Sequence, residues 1–220
     1  MRRTIPLLLL AVGVLGGCVD IPRSDKRKPV RQSTGVVTPS PQGRQCLAAL
    51  GATQAAFTPL PDKHFGGGCS NVNTVRLASV RGDYGMLSLA NLGPVTCPMA
   101  NAFSGWARFG VDRAARQILG SPLATIETFG SYNCRNVAGT SRRSAHSTAD
   151  AIDVSGFVLA DGRRITLTGN WSSGTQAERR FLRVVQQSAC KRFGTVLGPE
   201  YNSAHRDHFH LEISGSNFCR

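Results

Sequence analysis

The sequence predicts an α+β domain, a small antiparallel sheet flanked by helices and held by disulfides, and three observations carry that reading. Short runs such as Ala151-Ile-Asp-Val-Ser155 and His208-Phe-His-Leu-Glu-Ile213 alternate apolar and polar residues, the period of a half-buried strand. Two longer segments repeat their apolar residues at helical spacing and carry helix start and stop signals. Beyond the N-terminal leader stand six cysteines, Cys46, Cys69, Cys97, Cys134, Cys190 and Cys219, with no C-x-x-C pair among them. An even set in an exported chain reads as three disulfides rather than as a thiolate metal site.

The chain of 220 residues opens with the basic Met1-Arg-Arg-Thr4, followed by an apolar stretch over residues 5–17. That stretch is too short to span a bilayer and matches the hydrophobic core of a signal peptide, so residues 1–17 are expected to be a leader. It ends Leu15-Gly-Gly-Cys18, which resembles a bacterial lipobox; the resemblance implies that Cys18 becomes the lipidated first residue and ties the protein to a membrane. Cleavage of an ordinary secretory signal nearby is the alternative, and both mean export.

Residues 18–44 read as a linker. The basic run Ser24-Asp-Lys-Arg-Lys-Pro29, and Pro22, Pro39 and Pro41 among Ser, Thr, Gln and Gly, leave little with which to build a core.

Residues 45–220 suffice for one domain with its own core. Residues 74–80 and 86–89 are expected to pair as strands around the Gly82-Asp83 turn. Pro98 opens a helix that reaches about residue 119 and stops at Gly120, with Ala102, Trp106, Phe109 and Ala114 toward one face. Residues 123–129 are strand-like. Thr175 and Glu178 form a capping-box pattern that starts a second helix; its Phe181, Leu182, Val185 and Ala189 face inward, and Gly194 ends it. Gly66-Gly67-Gly68 lacks the flanking pattern of a phosphate loop and reads as a flexible turn. The cysteines are expected to pair in chain order: Cys46 with Cys69, Cys97 with Cys134, and Cys190 with Cys219.

The chemistry is concentrated in Ser144-Ala-His-Ser-Thr-Ala-Asp-Ala-Ile-Asp153 and His205-Arg-Asp-His-Phe-His210, which hold all but one of the chain's 5 histidines. In strands, Ile152 and Val154 would face the core and Asp153 the opposite side. Phe209, Leu211 and Ile213 would likewise oppose His208, His210 and Glu212. His146 precedes Asp153 in a Ser/Thr-rich stretch able to loop back, so His146, Asp153 and His210 can converge. Two imidazoles and a carboxylate are a usual first shell of catalytic Zn2+, which leaves its fourth position to water. Solvent-facing polarity on two strands is the plainer alternative.

At these residues the chain resembles the bacterial extensin-like C-terminal domain family. That family belongs with a wider group of zinc peptidases that includes lysostaphin-type endopeptidases, D-Ala-D-Ala carboxypeptidases and the hedgehog signalling domain. The group's S-x-H-x-x-G-x-A-x-D motif is met by Ser144, His146, Ala151 and Asp153, and its H-x-H by His208-Phe209-His210. Ala149 stands where the glycine is usual; if that position needs a positive φ, alanine is penalised there.

The resemblance implies that the sheet carries a zinc cleft with His146, Asp153 and His210 as ligands and His208 as general base. Two residues compete for the last role. Asp207 stands three before His210, as the catalytic glutamate does in the carboxypeptidase branch, although a regular strand would turn it to the core. His205 completes an H-x-x-H-x-H run like that of some murein endopeptidases. Arg135 follows a strand and turn, as the arginine of an S-G-Y-R-S-like motif does, and would hold substrate or a developing oxyanion. A surface arginine beside a disulfide is the other reading.

The activity so implied is zinc-dependent hydrolysis of peptidoglycan crosslinks or stem peptides in the periplasm or cell envelope. The balance of 26 Lys and Arg against 13 Asp and Glu gives a net charge of +13, which loss of Arg2 and Arg3 lowers to +11. Such a surface is drawn to anionic wall or envelope polymers. Nucleic acid is not an expected partner, because no binding motif is present and the chain is exported. The sequence names no protein partner. Two alternatives stand: a metal-bearing but inactive wall-binding module, and a purely structural zinc closed by His205 as fourth ligand.

Overall fold

The computed structural model describes residues 39–220, so the leader, Cys18 and most of the linker lie outside the described residues. No helix among the described residues is long and apolar enough to cross a membrane. The first helix, α1 (Pro41–Ala52), begins inside the stretch read as linker, where the Ser40 hydroxyl accepts the Gly43 N–H at 3.0 Å.

The strands that follow are β1 (Ala56–Pro59), β2 (Lys63–Gly66), β3 (Cys69–Asn71), β4 (Thr74–Arg81), β5 (Met86–Ala90) and β6 (Pro94–Thr96). Helix α2 (Cys97–Trp106) leads to β7 (Leu123–Gly130), β8 (Ala151–Leu159) and β9 (Arg164–Thr166). The short α3 (Leu167–Asn170) and the long α4 (Gln176–Cys190) precede β10 (Thr195–Leu197), β11 (Phe209–Glu212) and β12 (Phe218–Cys219).

The fold is α+β as predicted, but its sheet is neither small nor purely antiparallel. Ten strands join in the order β1-β4-β5-β7-β8-β11-β10-β12, with β6 beside β4 and β9 beside β8. The pairs β5–β7 and β10–β12 are parallel. A parallel pair needs a crossover rather than a hairpin, and the α2 segment supplies it between β5 and β7. The hairpin β2–β3 forms a separate ribbon. At its turn Gly66, Gly67 and Gly68 all take positive φ, and the Gly67 carbonyl accepts Arg143 Nε at 2.5 Å.

The α2 segment continues through two wider, π-type turns (Ala107–Asp112 and Ala115–Leu119) to Gly120, which adopts φ 73° as a left-handed cap. Its inward stripe is centred on Phe103, Ala107 and Val111. That leaves Phe109, expected to face inward, at the stripe's edge and 45% exposed. Trp106 is fully buried; its indole donates to the Val185 carbonyl at 3.1 Å and its ring meets Phe157 and Phe193. This contact joins α2, α4 and the sheet in one core.

Helix α4 starts on the predicted capping box, with Thr175 and Glu178 exchanging backbone bonds of 2.8 and 3.3 Å. Phe181, Leu182, Val185 and Ala189 are fully buried, as their spacing requires. The helix stops at Cys190 rather than at Gly194. Gly194 serves a different need, because a Cβ there would collide with the Ser214 carbonyl.

Three disulfides close the domain: Cys46–Cys97, Cys69–Cys134 and Cys190–Cys219. Only the last follows chain order. Helix α1 lies on the start of α2, where Asn101 donates to the Cys46 carbonyl at 3.1 Å, so Cys46 meets Cys97. The β2–β3 ribbon leans on the loop after β7, with Phe65 and Tyr132 rings 5.2 Å apart, so Cys69 meets Cys134. Three disulfides fit an oxidising, non-cytoplasmic compartment.

Candidate metal centre

Strands β8 and β11 run antiparallel with Asp153 directly opposite His210. Ile152, Val154, Phe209 and Leu211 are fully buried, and the alternation sends Asp153 and His210 to the other face, as predicted. The strand ends at Glu212, however, so Ile213 is 36% exposed instead of continuing the core row.

His146 arrives from a 3-10 turn (Ala145–Thr148) capped by the Ser144 hydroxyl, and Ala149 closes that turn with φ 59° and ψ 26°. The position does require the left-handed region. An alanine there costs about 1–2 kcal/mol, yet the turn is formed. The Ala149 N–H donates to the His146 carbonyl at 3.2 Å, and its own carbonyl accepts the Thr96 N–H at 3.0 Å.

His146, Asp153 and His210 come together. His146 Nε2 lies 3.1 Å from His210 Nδ1 and 3.2 Å from Asp153 Oδ2, and His210 Nδ1 lies 3.0 Å from Asp153 Oδ1. Tetrahedral coordination with bonds near 2 Å separates its ligand atoms by about 3.3 Å, so the three donors sit close to the edges of such a polyhedron. The outer nitrogens are occupied: His146 Nδ1 donates to the Ser131 carbonyl at 2.5 Å and His210 Nε2 to Glu212 Oε2 at 3.3 Å. With both rings neutral, each would turn a lone pair toward the shared centre, the outer-shell arrangement of metal-binding histidines. The group is buried and can hold a metal ion. Glu212 went unassigned in the sequence, although its place on the polar face two residues after His210 was the available signal.

The charges agree with that geometry. Burial alone would raise the Asp153 carboxyl, but hydrogen bonds from His146 and His210 and the nearby charge of His208 drive it well below the usual carboxylate range. Burial likewise pulls His210 down, and its bonds to Asp153 and Glu212 outweigh this and raise it to about 9.

The other predicted residues surround this group. His208 lies just before β11, with Nδ1 donating to Asp207 Oδ1 at 2.8 Å and Nε2 3.5 Å from Asp153 Oδ1. Asp207 does not face the core: it precedes the strand, is partly exposed, and holds the His208 ring. His205 ends a second 3-10 turn (Ser203–His205); its Nδ1 donates to Asn202 Oδ1 at 2.7 Å and its ring lies 5.2 Å from that of His208. Burial, then the charges of His208 and His210, push it down to about 4. It is not one of the converging ligand atoms. Arg135 is exposed in the loop after β7, close enough for its charge to add to the depression of His205.

Two aromatic residues at the site were not anticipated. The β7–β8 register shifts on both sides of Thr128, and the displaced Phe129 is 62% exposed with its ring 5.8 Å from that of His208. A bulge re-aims a side chain in this way, and simple alternation does not reveal it. Tyr201 is 42% exposed and stands edge-on to His205.

These features define an α+β, disulfide-bonded domain in which two strands and a tight turn build a two-histidine, one-carboxylate group suited to a metal ion. Residues 44–220 match the family described as extensin-like protein C-terminus, and the chain belongs to that family. No curated protein and no solved structure matches it.

Proposed function

We propose that the domain is a zinc-dependent hydrolase that cuts peptide bonds of peptidoglycan crosslinks or stems in the bacterial envelope, held near a membrane through a lipidated Cys18. The observation that carries the reading is the convergence of His146 Nε2, His210 Nδ1 and the Asp153 carboxylate at 3.0–3.2 Å with both outer ring nitrogens engaged. Two imidazoles and one carboxylate suit zinc, because hard cations such as calcium take mainly oxygen donors. With zinc bound, the site gains a water of near-neutral pKa and an electrophile for a peptide carbonyl.

The remaining work falls to the chain's own residues. Asp207 accepts the proton on His208 Nδ1, which leaves Nε2 as the basic nitrogen beside the ligand group. His208 takes a proton from the attacking water there and returns it to the leaving amine. Arg135 offers a planar, permanently charged fork to a substrate carboxylate or a polarised carbonyl. Phe129 and Tyr201 flank the histidines with exposed rings and limit access of bulk water. His205 stands outside the converging ligand atoms, which favours an open fourth position over a closed structural site.

The test is release of peptide fragments from isolated peptidoglycan by zinc-loaded protein and by His208→Ala, with metal content measured for both. Cleavage by the parent, and a loss of about 10²–10⁴-fold in a variant that keeps its metal, is the expected result. A fully loaded parent that binds the polymer and cuts nothing would make the domain a wall-binding module instead.

A further inference from the structure

A second cluster, built from residues outside the metal centre, lies where the β4–β5 turn meets the α2 segment. Asp83, at that turn, receives three guanidinium groups: Arg108 Nε at 2.8 Å, Arg113 Nε at 2.8 Å and an Arg116 terminal nitrogen at 2.6 Å. Its backbone N–H donates to the buried Asp112, the one other carboxylate in contact with the group among the described residues. The arginines also stack on exposed rings. Phe109 lies under Arg108, Arg113 and Arg192 at 4.7–5.7 Å, and Tyr84, 81% exposed, lies under Arg116 at 4.5 Å.

Pinning a turn to a helix needs one arginine on one carboxylate. Three around Asp83, with Arg192 beside them, incur mutual repulsion. They also leave a surplus of positive charge on a surface that shows two apolar rings to water. A guanidinium stacked flat on a ring keeps donor edges free for a phosphate. Cations interleaved with half-exposed aromatic rings suit the headgroup layer of a membrane, where the charge meets phosphate and the ring meets the acyl boundary. A soluble polyanion would need the cations alone.

We propose that this face docks on an anionic phospholipid surface, with Arg108, Arg113, Arg116 and Arg192 on the phosphates and Phe109 and Tyr84 at headgroup depth. The inference does not depend on the hydrolase reading, since none of these residues belongs to the metal centre.

The test is co-sedimentation of the chain made without residues 1–18, so that no acyl group contributes, with two kinds of vesicle. One is phosphatidylcholine alone and the other an equal mixture with phosphatidylglycerol. The parent is expected to sediment with the mixed vesicles only. Arg113→Gln combined with Arg192→Gln lowers that partitioning about 25-fold, near fivefold for each charge, while Arg76→Gln combined with Arg142→Gln, on exposed residues elsewhere, leaves it within a few fold. Phe109→Ser weakens vesicle binding several-fold and leaves binding of soluble polyphosphate unchanged. Melting curves establish that each variant is folded. Equal losses in the two double variants, or no preference of the parent for phosphatidylglycerol, would overturn the proposal. A Phe109→Ser variant that binds vesicles as the parent does would also overturn it, and would make the face a polyanion site.

Discussion

His146 and His210 turn Nε2 and Nδ1 toward one another at 3.1 Å while the Ser131 carbonyl and the Glu212 carboxylate hold their opposite nitrogens. With their outward protons so committed, the two facing nitrogens are accommodated at this distance by a shared cation. In the metal-free protein a proton fills that role, and Asp153 beside it supports the charge. A divalent metal bound there would take its place and release that proton.

Glu212 holds the outer nitrogen of His210 and, on the proposed reading, would orient a ligand without being one. Glu212→Ala should therefore lower metal affinity about 10–100-fold with the fold intact, as read by competition with a chromophoric chelator. Unchanged affinity would mean that strand β11 alone orients His210.

Ala149 is fully buried and left-handed at once. Glycine there relieves the backbone but gives up a buried methyl and gains unfolded-state freedom, so Ala149→Gly should shift stability by less than about 1 kcal/mol. Ala149→Val adds a β-branched side chain to a left-handed residue with no free space and should cost about 2 kcal/mol or more. Chemical denaturation of the two variants distinguishes these outcomes.

The Cys69–Cys134 bond ties the β2–β3 ribbon to the loop that carries Tyr132 and Arg135. Replacing both cysteines with serine should cost about 2–5 kcal/mol in denaturant unfolding. Hydrogen exchange should quicken in that ribbon and loop before it does in β8 and β11.

Asp83 should make stability depend on acid. Hydrogen bonds from Arg113, Arg108 and Arg116 hold its carboxyl well below the usual range, so it titrates lower in the folded chain than in the unfolded one. Its contribution is then present above the unfolded value near pH 4 and fades as pH falls toward the folded one. Asp83→Asn should destabilise by about 1 kcal/mol at neutral pH, since the group is partly solvated, and should converge with the parent in strong acid. Melting curves across pH check both limits.

Much of this was legible in the sequence because local chemistry set it. The capping box at Thr175, the left-handed stop at Gly120 and the opposed faces around Asp153 and His210 each depend on residues a few positions apart. What escaped depends on contacts between distant segments. Cys46 and Cys69 are successive cysteines in the sequence, but the packing of α1 on α2 and of the β2–β3 ribbon on the β7 loop sends them to different partners. The parallel β5–β7 pair requires knowing where the crossover lands. Phe129 owes its exposure to a bulge, and Asp207 its contact with His208 to a turn that replaces the expected strand. The convergence of His146, Asp153 and His210 was readable, and Glu212 was within reach on the same polar face, but the Ser131 contact was not, since a backbone carbonyl leaves no mark in a sequence.

Whether His146, Asp153 and His210 hold zinc is read by elemental analysis of the purified protein after equilibration with zinc and removal of excess, for the parent and for Asp153→Ala. About one zinc per chain is expected in the parent and near-complete loss in the variant, with circular dichroism unchanged. A parent that retains no zinc, or a variant that retains it in full, would contradict a zinc site at these residues.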